Sequence, residues 1–166
     1  MASTVELREI TQDSLQAVLD LAVEPEQEQY VAANARSIAE AHFERRAWFR
    51  AVYADDDPVG FVMAFRDAPN EFWVWRFMID AGHQGKGYGR RALELLVEEA
   101  RQDGVKEMKL SYHPGERSPR AFYTRFGFVD TGEVDEGETV MRLTLDQPRR
   151  PRQSGGVQRP RGEPGS

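Results

Sequence analysis

The chain has 166 residues, the size of one ordinary domain, and its 40% hydrophobic content is enough for a core, which excludes a wholly disordered chain. It has no cysteine, which excludes disulfide scaffolds, zinc knuckles, iron–sulfur sites and cysteine nucleophiles, and its three histidines, His42, His83 and His113, supply a metal site so poorly that none is expected. No apolar run reaches the ~20 residues of a membrane helix, and the N-terminus lacks a basic stretch followed by an apolar one, so a cytoplasmic protein without membrane association is expected.

The formal charge of −6 is spread unevenly. Beyond position 145, Arg149, Arg150, Arg152, Arg159 and Arg161 face only Asp146 and Glu163, so residues 1–145 are more acidic than the whole. An acidic body argues against nucleic acid as its partner and suits a small cationic ligand. Residues 146–166 are rich in Pro, Gly and Arg, with Val157 the only aliphatic side chain. They cannot bury enough surface to offset their ordering entropy, so a disordered tail is expected after a domain spanning 1–145. A basic arm contacting RNA, membrane or a partner is the functional alternative.

In chain order, Val5–Ile10 alternates like a half-buried strand. Asp13 or Ser14 can cap a short helix carrying Leu15, Val18, Leu19 and Ala22. Pro25 opens a second helix whose inward residues are Tyr30, Val31, Ala35, Ile38 and Ala39. Trp48–Tyr53 and Val59–Phe65 form a hairpin about the turn Asp55–Pro58. Phe72–Ile79 is a strand, Gly82–Gly89 a glycine-rich turn, and Tyr88 to about Asp103 a helix stopped by Gly104. Glu107–Tyr112 is the next strand. Ser118 caps a short helix with Pro119 in its first position, and Phe128–Thr131 and Thr139–Leu145 close the domain. This order predicts an α/β fold, a mixed sheet with helices on both faces.

The chemistry concentrates at Gln84-Gly85-Lys86-Gly87-Tyr88-Gly89-Arg90, between a strong strand and a strong helix. The alternating glycines let backbone approach an anion, and the helix that follows offers unsatisfied N–H groups and a positive dipole end. The third glycine comes one residue too early for a dinucleotide fingerprint, and no Gly-Lys-Ser/Thr follows a four-residue gap as in a P-loop. The pattern left is Gln-x-x-Gly-x-Gly on Gln84, Gly87 and Gly89.

That stretch resembles the coenzyme A pyrophosphate loop of the GNAT N-acetyltransferases. Phe122-Tyr123-Thr124-Arg125-Phe126-Gly127-Phe128 is similar to the second coenzyme A segment of the same family. Trp75–Asp80 with Gln84–Gly89, and Gln29–Asn34 followed by Ser37–Ala41, resemble the bacterial spermine/spermidine N-acetyltransferase subgroup. The resemblance covers positions 5–145 and implies a GNAT-like mixed sheet of about seven strands and an acetyl-CoA-dependent N-acetyltransferase.

It also implies roles. Acetyl-CoA would lie along Phe77, Met78 and Ile79, with a backbone N–H near Met78 or Ile79 polarising the thioester carbonyl. Gln84, Gly85, Lys86, Gly87, Tyr88, Gly89 and Arg90 would hold its pyrophosphate, and Ser118 and Tyr123 would complete the site. Tyr123 is the implied acid that protonates the departing thiolate. A family asparagine seven residues before that tyrosine is Glu116 here. Glu71, Asp80, Glu40 and His113 are candidates for the base that takes the ammonium proton. Glu24, Glu26, Glu28, Glu40 and Glu44 lie near the helices implied to wall the acceptor. Glu28, Glu40, Glu71 and Trp75 are the expected substrate contacts for a primary amine of a small cationic molecule, most simply a polyamine such as spermine or spermidine. The alternatives are an antibiotic, another basic metabolite or a protein amine as acceptor, or a non-catalytic acyl-CoA-binding regulator. A homodimer is compatible with all of these.

Overall fold

The structure, a computed structural model, describes residues 2–145; the expected tail, 146–166, lies outside the described residues. Seven strands form one mixed sheet: β1 (Val5–Arg8), β2 (Ala47–Ala54), β3 (Asp57–Asp67), β4 (Glu71–Ile79), β5 (Glu107–Tyr112), β6 (Val129–Asp135) and β7 (Glu138–Thr144). Their spatial order is β1-β2-β3-β4-β5-β7-β6. Every neighbouring pair is antiparallel except β4 and β5, which run parallel and are joined by the helix α3 (Tyr88–Gln102). A parallel pair requires such a crossover, so the glycine-rich turn leaves the end of β4 and feeds α3 directly.

The pleat divides the core into two layers. Phe72, Val74 and Ile79 of β4 pack with Leu93, Leu96 and Ala100 of α3 and with Tyr123 and Phe128 around the C-terminal helix α4 (Arg120–Phe126). On the opposite face Phe61, Met63 and Met78 pack with Val18 of α1 (Gln12–Leu19) and Ile38 of α2 (Asn34–Ala41). Arg66 on β3 locks α3 in place, donating from Nε and Nη2 to Asp103 at 2.6 and 2.8 Å and reaching Glu99 at 2.8 Å. Such a two-pronged guanidinium–carboxylate contact fixes direction as well as distance.

Several predicted boundaries move, each for a local reason. Thr11, rather than Asp13 or Ser14, caps α1: its side chain accepts from the Ser14 N–H while the Ser14 hydroxyl accepts from the Thr11 N–H. The helix expected from Pro25 onward breaks into a 3-10 segment, Pro25–Tyr30, and the separate helix α2. Val31 is extended, and the buried Asn34 side chain donates to the Val18 carbonyl at 2.9 Å, which anchors the start of α2 to α1. Ser118 does not cap α4. Pro119 takes that position, and its carbonyl accepts the first helical bond, from Tyr123 N–H.

Candidate active site

The parallel contact between β4 and β5 is short. Trp73 lies opposite Lys109 and Val74 opposite Leu110, and there the pairing stops, although β4 runs on to Ile79 and β5 to Tyr112. A bulge causes the parting: β3 pairs Met63 with Arg76 and Ala64 with Val74, so Trp75 is an extra residue that bends β4. The edge of β4 beyond Val74 therefore keeps unpaired backbone groups on the β5 side, where an extended ligand can add to the sheet. A groove of about 1350 Å³ runs through this split, lined at one end by the glycine loop and α4 and at the other by the 3-10 segment, Arg36, Arg46 and Glu71.

At the first end the ligand would meet backbone. Gly85 and Gly87 sit at φ +77° and +84°, and a Cβ on either would find nothing within 4 Å, so their outer faces are open. Gly87 is the N-cap of α3 and gives it no side-chain hydrogen bond, so the first N–H groups of a fifteen-residue helix lack a capping partner. Gln84 holds the loop rather than presenting it. Its Nε2 donates to the Ile79 carbonyl and to Gln27 Oε1, both at 2.9 Å, tying the loop to β4 and to the 3-10 segment. An elongated ligand with a diphosphate at one end and an acyl arm able to join the β4 edge fits this donor set. Phe77, Met78, Ile79, Gln84, Gly85, Gly87, Tyr88, Gly89, Arg90 and Ser118 all line the groove; Lys86 is exposed and does not.

Tyr123 lines the same groove from α4 and is buried among Phe77, Phe122 and Phe128. That burial pushes its phenol well above the usual tyrosine range, so it is protonated at any neutral pH.

The base candidates fare differently. Asp80 accepts from the backbone N–H groups of Ala22 (3.0 Å) and Gly82 (3.2 Å) and contacts His83 Nδ1 at 3.0 Å. Burial opposes its ionisation, but these bonds outweigh it and hold the carboxyl below the ordinary aspartate value. Asp80 is a brace between the β4 turn and the α1 connection, and a weakened base. Glu40 does not line the groove; its carboxylate takes Arg36 at 2.7 Å and Arg76 at 3.2 Å. Glu71 lines it but is paired with Arg46 at 3.2 Å. Trp75 lines it with Phe65 stacked at 4.3 Å and the Arg76 guanidinium 5.2 Å over its ring, so both compete with any substrate ammonium for its faces. Of the five early glutamates only Glu28 lines this groove.

Sequence reasoning missed the far wall. Asp135, Glu136 and Glu138, at the β6–β7 turn, line the groove together with Ser111, His113, Arg76 and Tyr30. Glu138 contacts His113 Nε2 at 3.0 Å and accepts from the Ser111 hydroxyl. A β5–β7 neighbourhood is invisible without the sheet order. The one available signal was Arg76, a charge within the otherwise apolar run Phe72–Ile79. Burial lowers its guanidinium from the ordinary arginine value, and attraction to Glu40 and Glu138 opposes that. Tyr30 crosses to the loop after β5, where a Cβ on Gly115 would collide with its hydroxyl oxygen. The 3-10 segment thus roofs the groove.

A mixed sheet parted beside a glycine-cradled helix terminus, with a protonated phenol at the parting, is the architecture of an acyl-coenzyme-A-dependent transferase. Residues 6–128 match the acetyltransferase (GNAT) family model. Spermine/spermidine N(1)-acetyltransferase of Bacillus subtilis (strain 168) is 31% identical over 150 residues, 83% of this chain and 97% of that protein. Among solved structures, the PaiA N-acetyltransferase of Thermoplasma acidophilum in complex with coenzyme A superimposes with a TM-score of 0.65 at 18% identity, covering 85% of this chain and 99% of that one. An acetyltransferase of Thermus thermophilus gives 0.69 at 22% identity, covering 87% and 100%. The chain belongs to the GNAT acetyltransferase family and is an acetyl-CoA-dependent N-acetyltransferase. Among the described residues no helix is long and apolar enough to cross a membrane.

Proposed function

We propose that the enzyme acetylates a primary amine of a small, multiply charged cation of the polyamine class, spermine or spermidine being the simplest members. The carrying observation is the charge balance of the acceptor end. Taken together, Arg36, Arg46 and Arg76 are balanced by the three carboxylates they pair with, Glu40, Glu44 and Glu71. Glu28, Asp135 and Glu136 line the groove with no ion pair among the described residues and outnumber the arginines of its lining in the same position, Arg117 and Arg125. The local field at that end favours ammonium groups beyond the one that reacts. Similarity to an enzyme named for spermine and spermidine supports the same reading.

Acetyl-CoA supplies a thioester-activated acetyl group. N–H groups of the Gly85–Arg90 loop hold its pyrophosphate, with Gln84 keeping the loop in shape. The free edge of β4 at Phe77–Ile79 aligns the pantetheine arm, and an N–H there polarises the carbonyl. Tyr123 Oη, kept neutral by burial, gives its proton to the sulfur as the thiolate departs and is restored by the proton that the nitrogen sheds as the amide forms. The amine attacks directly, so it must first be neutral.

The test is release of free thiol across an amine panel. Spermine and spermidine should show higher kcat/KM than a monoamine of similar length, and the advantage should shrink as salt screens the wall over a Debye length of ~10 Å. Charge reversal at Glu28 or Asp135 should raise the polyamine KM more than the monoamine KM. Equal kcat/KM for both classes at low salt would overturn the polyamine assignment.

A further inference from the structure

An attacking amine must shed a proton, and the carboxylates suggested by the sequence are engaged elsewhere: Asp80 by three donors, Glu40 and Glu71 by arginines. The groove holds one carboxylate whose polar partners on β5 can themselves carry a proton. Ser111 is the first residue of β5 past Leu110, the last to pair with β4, and so stands where the sheet parts. Its hydroxyl donates to Glu138 Oε2. Glu138 Oε1 lies 3.0 Å from His113 Nε2, and the His113 side chain is 51% exposed. The pairings Ser111–Val140 and Tyr112–Thr139 hold the three groups in this arrangement, and all three line the groove with Tyr123. A hydrogen-bonded file therefore leads from the parting of the sheet to solvent.

We propose that this file carries away the proton of the acceptor ammonium, with Glu138 as the base, Ser111 as the relay and His113 as the exit. The inference rests on reading this groove as the site of acetyl transfer. The step balances without a further reagent. The ammonium N–H bond breaks toward Ser111 Oγ as the Ser111 proton passes to Glu138 Oε2, leaving the lone pair on nitrogen. Rotation of the Glu138 carboxyl then presents this proton to Nε2 of His113 in its Nδ1–H tautomer, His113 releases the proton on Nδ1 to water, and exchange with solvent on the exposed ring restores the tautomer for the next turnover. The groups facing the file are Arg76 on β4, Asp135 and Glu136 at the β6–β7 turn, Glu26, Glu28 and Tyr30 on the 3-10 segment, and Glu116 and Arg117 on the loop after β5. Arg76 is close enough for its charge to interact with Glu138.

The experiment is the pH profile of kcat/KM for wild type, Glu138→Gln, His113→Gln and Ser111→Ala, using whichever basic amine of the panel is turned over fastest. Glu138→Gln should lose ~10²-fold at pH 7, and the deficit should close as pH approaches the amine's own pKa, where solvent removes the proton. His113→Gln should lose less, roughly 5- to 10-fold, and recover with added imidazole. Acetyl-CoA affinity should be unchanged in all three. Should Glu138→Gln fold poorly, Ser111→Ala removes only one oxygen and should show a deficit of the same pH shape. A deficit that does not depend on pH, or no deficit with chemistry shown to be rate-limiting, overturns the proposal. The ranking of amines does not enter the pH shape, so a panel led by a monoamine would sink the polyamine reading and leave this test intact.

Discussion

At the α3 end of the groove the ligand meets main chain: two glycines at positive φ, the uncapped start of a helix and the bare edge of a strand. At the acceptor end it meets side chains from segments far apart in sequence, namely Glu28 and Tyr30, Trp75 and Arg76, Ser111 and His113, and the Asp135–Glu138 turn. Main-chain donors are the same for every substrate that carries the same diphosphate, and only a few residue types let the chain adopt the needed conformation. The side-chain wall can change one residue at a time without disturbing the cradle. On the proposed reading one end fixes the donor and the other selects the acceptor, and the two should fail independently.

The largest separation should come from Gly87→Val, which strains an N-cap at φ +84° and fills the open face of the cradle. The thermal stabilisation by acetyl-CoA should vanish; for wild type at ~100-fold Kd it corresponds to about 2.7 kcal/mol. Gly104, just past the other end of the same helix, is a matched control: it also has positive φ, +75°, and open space around its missing Cβ. Gly104→Val should lower Tm through the same kind of strain yet keep the acetyl-CoA shift. If both variants lose the shift, strain in α3 rather than the cradle is responsible.

Next in size is Tyr123→Phe, which keeps the ring among Phe77, Phe122 and Phe128 and removes only the hydroxyl. Turnover should fall ~10²-fold with acetyl-CoA affinity unchanged. Unchanged turnover with chemistry rate-limiting would reassign Tyr123 to packing.

Gly115→Ala probes the roof. Its Cβ would displace the Tyr30 ring, and the acceptor KM should rise by roughly 3- to 10-fold while acetyl-CoA binding and Tm hold. An acetyl-CoA affinity that falls as much as the acceptor's would show that the roof serves both ends.

The smallest effect is one of stability. Asp80 has a folded pKa below its unfolded value, so its stabilising contribution is present above the unfolded value of ~4 and is lost as pH falls through the lower, folded one. Urea unfolding of Asp80→Asn should therefore show a deficit of about 1 kcal/mol at pH 7 that narrows toward pH 3. A deficit of constant size would assign the role to shape rather than charge.

The same division decides what could be read from the chain alone. The strand–loop–helix from Phe72 to Asp103 was legible because glycine spacing and apolar periodicity are local, and β4 and α3 fall where those patterns put them. That Tyr123 lines the groove was legible through its flanking aromatic and glycine pattern. The acceptor wall was not. Glu40 looked like a free carboxylate on a helix face, and only the approach of Arg76 from β4 shows it neutralised. Asp135 carries no local signal, and only the β5-β7-β6 order brings its turn to the groove. The expected helix from Pro25 failed for a related reason, since Asn34 and Gln27 are committed to partners in other segments.

The split between β4 and β5 brings side chains from both faces of one sheet, Phe77 and Tyr123 from one and Val31 and Met78 from the other, into a single groove. Such a groove has a kinetic signature. On the proposed reading donor and acceptor occupy different parts of that groove, so neither has to leave before the other arrives, and the chain has no cysteine thiol on which an acetyl group could wait between half-reactions. Both reactants should then meet inside before either product forms. Plots of reciprocal rate against reciprocal acetyl-CoA at several amine concentrations should intersect rather than run parallel, and acetylated amine should compete with amine while leaving the coenzyme's place untouched.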